Sequence, residues 1–314
     1  MDIQIRLARK TDLASIIELS KGIYEGHDYL PLVFLRWLDE PNRRVIVAEK
    51  GGAVIGIRAF HIVDGGNTVV SQSLRVHPKY RGQGISTVLI LAEQRYVQTH
   101  FPSVITERYT TMSTNVSRLA IQRKSAGENL VLELGIVAFY VNSATFFNRS
   151  ELACENEKVR SMDIMEFQRA ISEGRLDSVL HKDTLIIDWE PFKANSCNTA
   201  CGLVNEDDCL FVSEKNQSQK DIQCFSHGRL SPRVKCPHWV ATIYTEHLKL
   251  LKIHIAKQLE YATLQARKKK FIFSCFLPTC FVSNAKQYVL DEFSLEYVEF
   301  FNFNLLLFEK NFRA

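Results

Sequence analysis

The sequence predicts a mixed α/β fold laid down twice in succession, and three observations predict it. Residues 74–99, LRVHPKYRGQGISTVLILAEQRYVQT, read as strand, glycine-bearing turn and helix. Strands and helices alternate around that stretch over the first 141 residues. A second strand–helix–strand–helix–strand series returns between residues 239 and 308. A length of 314 residues suits two domains. The expected division is a first domain at 1–150, a connecting segment at 151–180 and a second domain at 181–314.

IQIRL (residues 3–7) alternates as a first strand. Thr11 or Asp12 can cap a helix that carries Leu13, Ile16, Ile17 and Leu19 on one face. The polar and aromatic loop GIYEGHDYLP (22–31) leads to a second short helix over Leu32 to Leu38. Arg44 to Glu49 and Ala53 to Ile62 are strands joined by Gly51-Gly52, a hairpin signal. Thr68 to Val76 is the next strand. After the turn and its helix come a strand over Ser103 to Thr110, a helix from Asn115 to about Ala126, and a strand over Leu130 to Val141.

Residues 151–180 are polar and helical in pattern. Leu185 to Trp189 opens another strand region. Residues 195–235 are polar, hold cysteines and turn signals, and predict a loop at 213–221. Trp239 to Thr245 is a strand, Glu246 to about Ala266 a long amphipathic helix, Phe271 to Phe276 a strand and Ser283 to about Leu290 a helix. Leu295 to Phe308 closes the chain as an aromatic strand or hairpin. Lys268-Lys269-Lys270 read as cations at the negative end of the long helix. The second series repeats the later half of the first; an unrelated α/β cap is the alternative.

The turn carries the chemistry. Pro78 ends the strand because it cannot donate to a ladder. Arg81, Gly82, Gln83, Gly84, Ile85 and Ser86 then lead into a helix with apolar Val88, Leu89, Leu91 and Ala92. Free N–H groups at a helix start, with glycines that allow close approach, form an anion site. Arg81 adds fixed charge. No dinucleotide fingerprint or P-loop is present. Arginine, two spacers, glycine, one spacer and a small residue, directly after VHP, resemble the acetyl-CoA pyrophosphate loop of the GNAT superfamily of N-acetyltransferases. Ser86 stands where that family has Gly or Ala. The element order is also the GNAT order. No such turn follows Tyr244, so the second domain is expected to be a degenerate GNAT-like repeat.

GIYEGHDYLP, WLDEPNRRVIVAEKGGAVI, LRVHPKYRGQGIS and IIDWEPF (186–192) are similar to segments of the vertebrate histidine N-acetyltransferases. That resemblance implies direct attack of a neutral amine on the thioester of acetyl-CoA, with a small free amino acid, L-histidine first, as acceptor. It implies that the backbone of Leu74, Arg75 and Val76 pairs with pantetheine and polarises the thioester, that residues 81–86 hold the pyrophosphate, and that Asn115 reaches the pantetheine. The family has a glutamate base where this chain has Gln72, and glutamine cannot accept the proton. Glu107 on the next strand is then the expected base. Tyr109, Tyr140 and Tyr24 are open candidates for protonating the thiolate. Asp28 and Tyr29 fall in the loop that walls the acceptor site: Asp28 could pair with a cationic amine and Tyr29 stack on a ring, against a capping Asp beside a packed Tyr. A protein or peptide acetyltransferase and a non-catalytic CoA-binding scaffold are the alternative functions.

Composition sets bounds. Hydrophobic content of 46% and charged content of 24% are globular values, and a net charge of +4 gives no argument for nucleic acid. The start MDIQIRLARKTD lacks an apolar signal core, and no apolar run reaches membrane-spanning length. Eight cysteines then read as reduced thiols of a cytoplasmic protein. Cys197, Cys201, Cys209, Cys224, Cys236 and His238 lack paired knuckle spacing, so no metal is expected. Sequons at Asn115, Asn148 and Asn216 carry no weight in that setting.

Overall fold

The computed structural model describes residues 3–122, 127–146, 159–215, 222–267 and 269–313. Several expectations fall outside these residues: the end of the helix at 123–126, Asn148, the first part of the connecting segment, Asn216 with most of the 213–221 loop, and Lys268.

Strand β1 (Gln4–Leu7) leads into α1 (Leu13–Ser20) and α2 (Leu30–Asp39), then β2 (Arg43–Lys50), β3 (Ala53–Val63) and β4 (Thr68–Val76). Next come α3 (Ile85–His100), β5 (Thr106–Met112), α4 (Val116–Gln122), β6 (Asn129–Asn142) and α5 (Ser143–Phe146). The second half runs β7 (Arg160–Ser161), α6 (Ile164–Ser172), β8 (Thr184–Ile187), β9 (Glu190–Lys193), α7 (Ser196–Ala200), β10 (Cys209–Glu214), β11 (Ile222–Ser231) and β12 (His238–Thr245). It closes with α8 (Leu248–Gln265), β13 (Lys270–Pro278), α9 (Val282–Phe293), β14 (Glu296–Tyr297) and β15 (Asn304–Asn311).

One sheet joins both halves, in the order β1-β2-β3-β4-β5-β15-β6-β13-β12-β11-β10-β7. The halves mirror each other about the β15–β6 pair. In each, antiparallel strands lead to one parallel pair, β4 with β5 and β12 with β13. The last strand of each half crosses to the other: β6 pairs with β13, and β15 pairs with β5. These pairings join the two expected domains in one sheet.

The polar stretch 195–235, expected as loop and turns, holds α7, β10 and β11. Its buried polar residues have distant partners. Ser226 bonds His254 at 2.8 Å and Gln258 at 3.0 Å, and His227 meets Asp208 at 3.1 Å. Such satisfied pairs let polar strands enter a core.

Side-chain alternation sorts the first half by face. Phe60, Ile62 and Val69 pack with Ile85, Leu89 and Val97 of α3. Ile57 and Ala59 pack with Ile16, Leu30 and Phe34 of α1 and α2 on the other face. Val63 and Val70 join Leu185 and Phe192 of the β8–β9 hairpin, so the second half covers part of that other face.

Candidate active site

β4 and β5 pair only over Thr68–Val70 with Thr106–Arg108. Beyond that point β4 continues to Val76 and β5 to Met112 with no ladder between them. The gap opens into a cleft of about 1730 Å³ that also takes in the Arg81–Ser86 turn. Ser73, with φ 56°, breaks the regular pleat in the middle of that free edge.

Gly82 and Gly84 have φ of 75° and 78°, and a Cβ on either would meet nothing within 4 Å. Gly84 is the N-cap of α3 and offers no capping side chain, so the first N–H groups of the helix are open to an anion. Arg81 is exposed and anchored to the turn by its Nε bond to the Val76 carbonyl at 3.1 Å. The free β4 edge thus leaves backbone groups without a strand partner beside an open anion site. The matching end of β12 differs: α8 begins after His247, with no glycine turn.

The predicted residues divide by face. Glu107 lines the cleft on the α3 face, buried to 3% exposure. Ser71 Oγ donates to it at 2.9 Å, Arg58 lies at 3.3 Å and Lys310 of β15 at 3.0 Å. Ser71 and Arg58 also contact Glu93 of α3. Burial pulls the Arg58 guanidinium down to about 10, against the charge of Glu107.

Gln72 faces the other way, toward α2 and the hairpin. With its amide turned to satisfy both neighbours, its nitrogen donates to Glu190 Oε1 at 3.2 Å and its oxygen accepts from Arg43. Glu190 also takes His61 Nδ1 at 3.0 Å and Arg43 at 2.9 Å. Burial opposes ionisation of Glu190, but the charge of Arg43 and the bond from His61 outweigh it and hold the carboxyl at about 2. The hairpin is pinned over the opening by Thr110, whose hydroxyl donates to the Trp189 carbonyl at 2.7 Å.

Asp28 does not line the cleft. Both its oxygens bind Arg75 at 2.7 Å, and Oδ1 also accepts from Leu30 N at 3.2 Å. The Arg75 guanidinium is thus committed to Asp28 and buried, although the residue borders the opening. Tyr29 does line the cleft. Its hydroxyl meets Ser73 Oγ at 2.7 Å, and burial pushes the phenol up to about 12. Arg75 and Arg233 lie 5.3 and 5.1 Å from its ring.

Asn115 stands on the rim and caps α4, accepting from Arg118 N at 3.2 Å and donating to Thr111 at 3.0 Å. Of the tyrosines, Tyr109 donates to Glu128 at 2.7 Å, and burial raises it well above the phenol range. Tyr24 lines the cleft, whereas Tyr140 lies on β6 outside it.

The cysteines scatter. Cys209 and Cys224 are core residues, and Cys197 and Cys201 are exposed. Cys236 and His238 do meet, with His27 as third member. The two imidazoles share one hydrogen bond, His238 Nε2 to His27 Nδ1 at 3.0 Å. Burial keeps both imidazoles below their ordinary range, and Arg233 adds to that push.

Glu190 and His61 were not singled out from the sequence; the signal available for Glu190 was its place in the IIDWEPF segment.

Two sequence families match the chain: the acetyltransferase (GNAT) family over residues 12–118, and the histidine N-acetyltransferase C-terminal family over residues 155–278. These matches place a GNAT acetyltransferase domain at residues 12–118 and mark the chain as an N-acetyltransferase. Enzymes of that family draw their acetyl group from acetyl-CoA. Within it, the chain is similar to a histidine N-acetyltransferase of Oreochromis niloticus, 28% identical over 71% of this chain and 69% of the relative. It is equally similar to one of Scomber australasicus, 28% identical over 72% and 69%. A solved tandem GNAT protein from the clavulanic acid biosynthesis pathway covers 99% of each chain at a TM-score of 0.60 and 11% identity, a likeness of fold.

Proposed function

We propose that the chain transfers acetyl from acetyl-CoA to the α-amine of a free amino acid, with L-histidine as acceptor. The observation that carries this reading is the roofed opening: the β4–β5 gap beside the anion turn, covered on its far side by the β8–β9 hairpin. A roof held by Thr110, Gln72 and Arg43 suits a small acceptor better than a folded protein. The name of the relatives supports histidine.

In this reading the turn from Arg81 to Ser86 takes the pyrophosphate, Asn115 stands at the far rim, and the edge of Leu74, Arg75 and Val76 pairs with pantetheine. An N–H of that edge polarises the thioester carbonyl, so attack builds negative charge where a donor waits. The acceptor enters on the face of Tyr29, His61 and Glu190, where Tyr29 offers a flat partner for an imidazole. Arg229 and Arg233 supply positive charge there for a carboxylate, each already sharing an aspartate. Asp28, committed to Arg75, acts by fixing Tyr29 in place.

Thiol release with L-histidine, histidine amide and a short peptide beginning with histidine tests the reading. Histidine supports turnover, and the amide is at least about tenfold poorer because it lacks the carboxylate charge. Equal rates for all three would replace the free amino acid with a peptide acceptor.

A further inference from the structure

We propose that His61, oriented by Glu190, takes the proton from the acceptor amine, a task the neighbouring Gln72 amide cannot perform. The inference rests on the acetyl-transfer reading above.

Gln72 occupies the β4 position that faces the acceptor side, and an amide cannot accept the proton. Glu107 lies on the opposite face of the sheet, held by Arg58 and Lys310. The acceptor side does carry a carboxylate, delivered by the second half of the chain: Glu190 lies 3.2 Å from the Gln72 amide. A glutamate at 72 would set two carboxylates side by side. The neutral amide instead bridges Glu190 and Arg43. The negative charge on this side comes from β9, not β4.

Glu190 itself is occupied by Arg43 and His61 and remains ionised. The group with a free proton-accepting atom is His61. Its hydrogen bonds among the described residues are all made through Nδ1. Nδ1 lies 3.0 Å from both Glu190 Oε2 and Arg43 Nη2. A carboxylate can only accept, and Arg43 has Glu40 and Glu190 as acceptors already. The proton therefore sits on Nδ1 and points at Glu190, which leaves the Nε2 lone pair free. His61 borders the cleft with 22% of its side chain exposed. The charged groups around the pair are Arg43 and Glu40 from the α2–β2 corner, Glu190 from β9 and Arg229 from β11. Phe192 meets the ring edge-on at 6.1 Å.

The step balances with what is present. The acceptor ammonium gives one proton to His61 Nε2. The freed lone pair forms the C–N bond at the thioester carbon. Collapse breaks the C–S bond, the electron pair leaves on sulfur, and the second amine proton ends on the thiolate. His61 then returns its proton to solvent. His61 is the catalytic residue here, and Glu190 is a positioning residue.

The test combines pH profiles of kcat/KM for His61→Gln, Glu190→Gln and the His61→Gln/Gln72→Glu double variant with nitrogen-15 NMR of the histidine rings. His61→Gln should lose about 100-fold or more, within the range for a general base, and lose the ascending limb while the KM for acetyl-CoA holds. Glu190→Gln should lose about tenfold in kcat/KM while the KM for acetyl-CoA holds, because the ring loses the acceptor that orients it. Gln72→Glu in the His61→Gln background should recover at least about tenfold. A His61→Gln variant with wild-type rate and limb would overturn the pair while leaving the acetyl-transfer reading intact. If the wild-type protein released no thiol with any amine, the acetyl-transfer reading would fail instead. NMR decides the pair in either case: His61 protonated on Nδ1, with that state lost in Glu190→Gln, supports it, and an Nε2-protonated ring overturns it.

Discussion

Gly84→Glu should weaken acetyl-CoA binding at least about tenfold and leave the fold standing. Gly84 sits at φ 78°, where a side chain costs about 1–2 kcal/mol in backbone strain. Its Cβ would meet no protein atom within 4 Å, so no core contact is lost. Gly56 is the contrast, since a Cβ there would press on Leu89 at 3.1 Å and the Arg75 carbonyl at 3.2 Å. At Gly84 the added side chain enters the space where the turn would cradle pyrophosphate, and its charge repels it. Losing one or two charge-assisted hydrogen bonds at roughly 1.5–3 kcal/mol each weakens binding about 10- to 100-fold or more. Calorimetric titration with acetyl-CoA reads the affinity, and a thermal melt reads the fold. Wild-type affinity in a folded Gly84→Glu variant would refute the assignment of this turn. Loss of the fold itself would refute the claim that the site is open.

Two further outcomes follow from the buried charges. The Glu190 carboxyl falls from an ordinary 4.5 to about 2 in the folded protein. Its contribution is therefore complete above about pH 4.5 and is lost as pH falls toward 2. A depression of that size is on the order of 3 kcal/mol at most, so denaturant unfolding of Glu190→Gln between pH 5 and 3 should show a shallower loss of stability than wild type; parallel curves would contradict it. Lys310→Met leaves Glu107 and Glu128 short of a cation on the exchanged strand β15. With Lys310 partly exposed, the cost should be roughly 2 kcal/mol, below the ~3–5 kcal/mol of a fully buried pair. Adding Glu107→Gln should recover part of it, and strict additivity in that double variant would deny the contact.

The stretch from β4 through α3 was legible because its signals are local. Proline stops the strand, two glycines supply positive φ, and apolar spacing writes the helix, so β4 falls at Thr68–Val76 as read. The exchange of β6 and β15 was not. Both are apolar strands whose own residues name no partner, and antiparallel register is set by segments far away in sequence. β10 and β11 were hidden by polar residues such as Ser226 and His227, whose partners lie on α8 and before β10. The site shows the same limit. GHDYLP suggested a ligand role for Asp28, but its partner Arg75 lies on β4, beyond α2, β2 and β3. Alternation along β4 and β5 could have set Glu107 and Gln72 on opposite faces, yet only the folded chain brings Glu190 to Gln72.

The central claim is that one free amino acid is acetylated on its α-amine. The most direct measurement is mass spectrometry of the products after the protein meets acetyl-CoA and an equimolar mixture of the free amino acids. The account predicts Nα-acetylhistidine as the main product, formed with one equivalent of free thiol. Acetyl carried mainly by another amino acid, by the imidazole ring, or by added peptides in preference to histidine would contradict it.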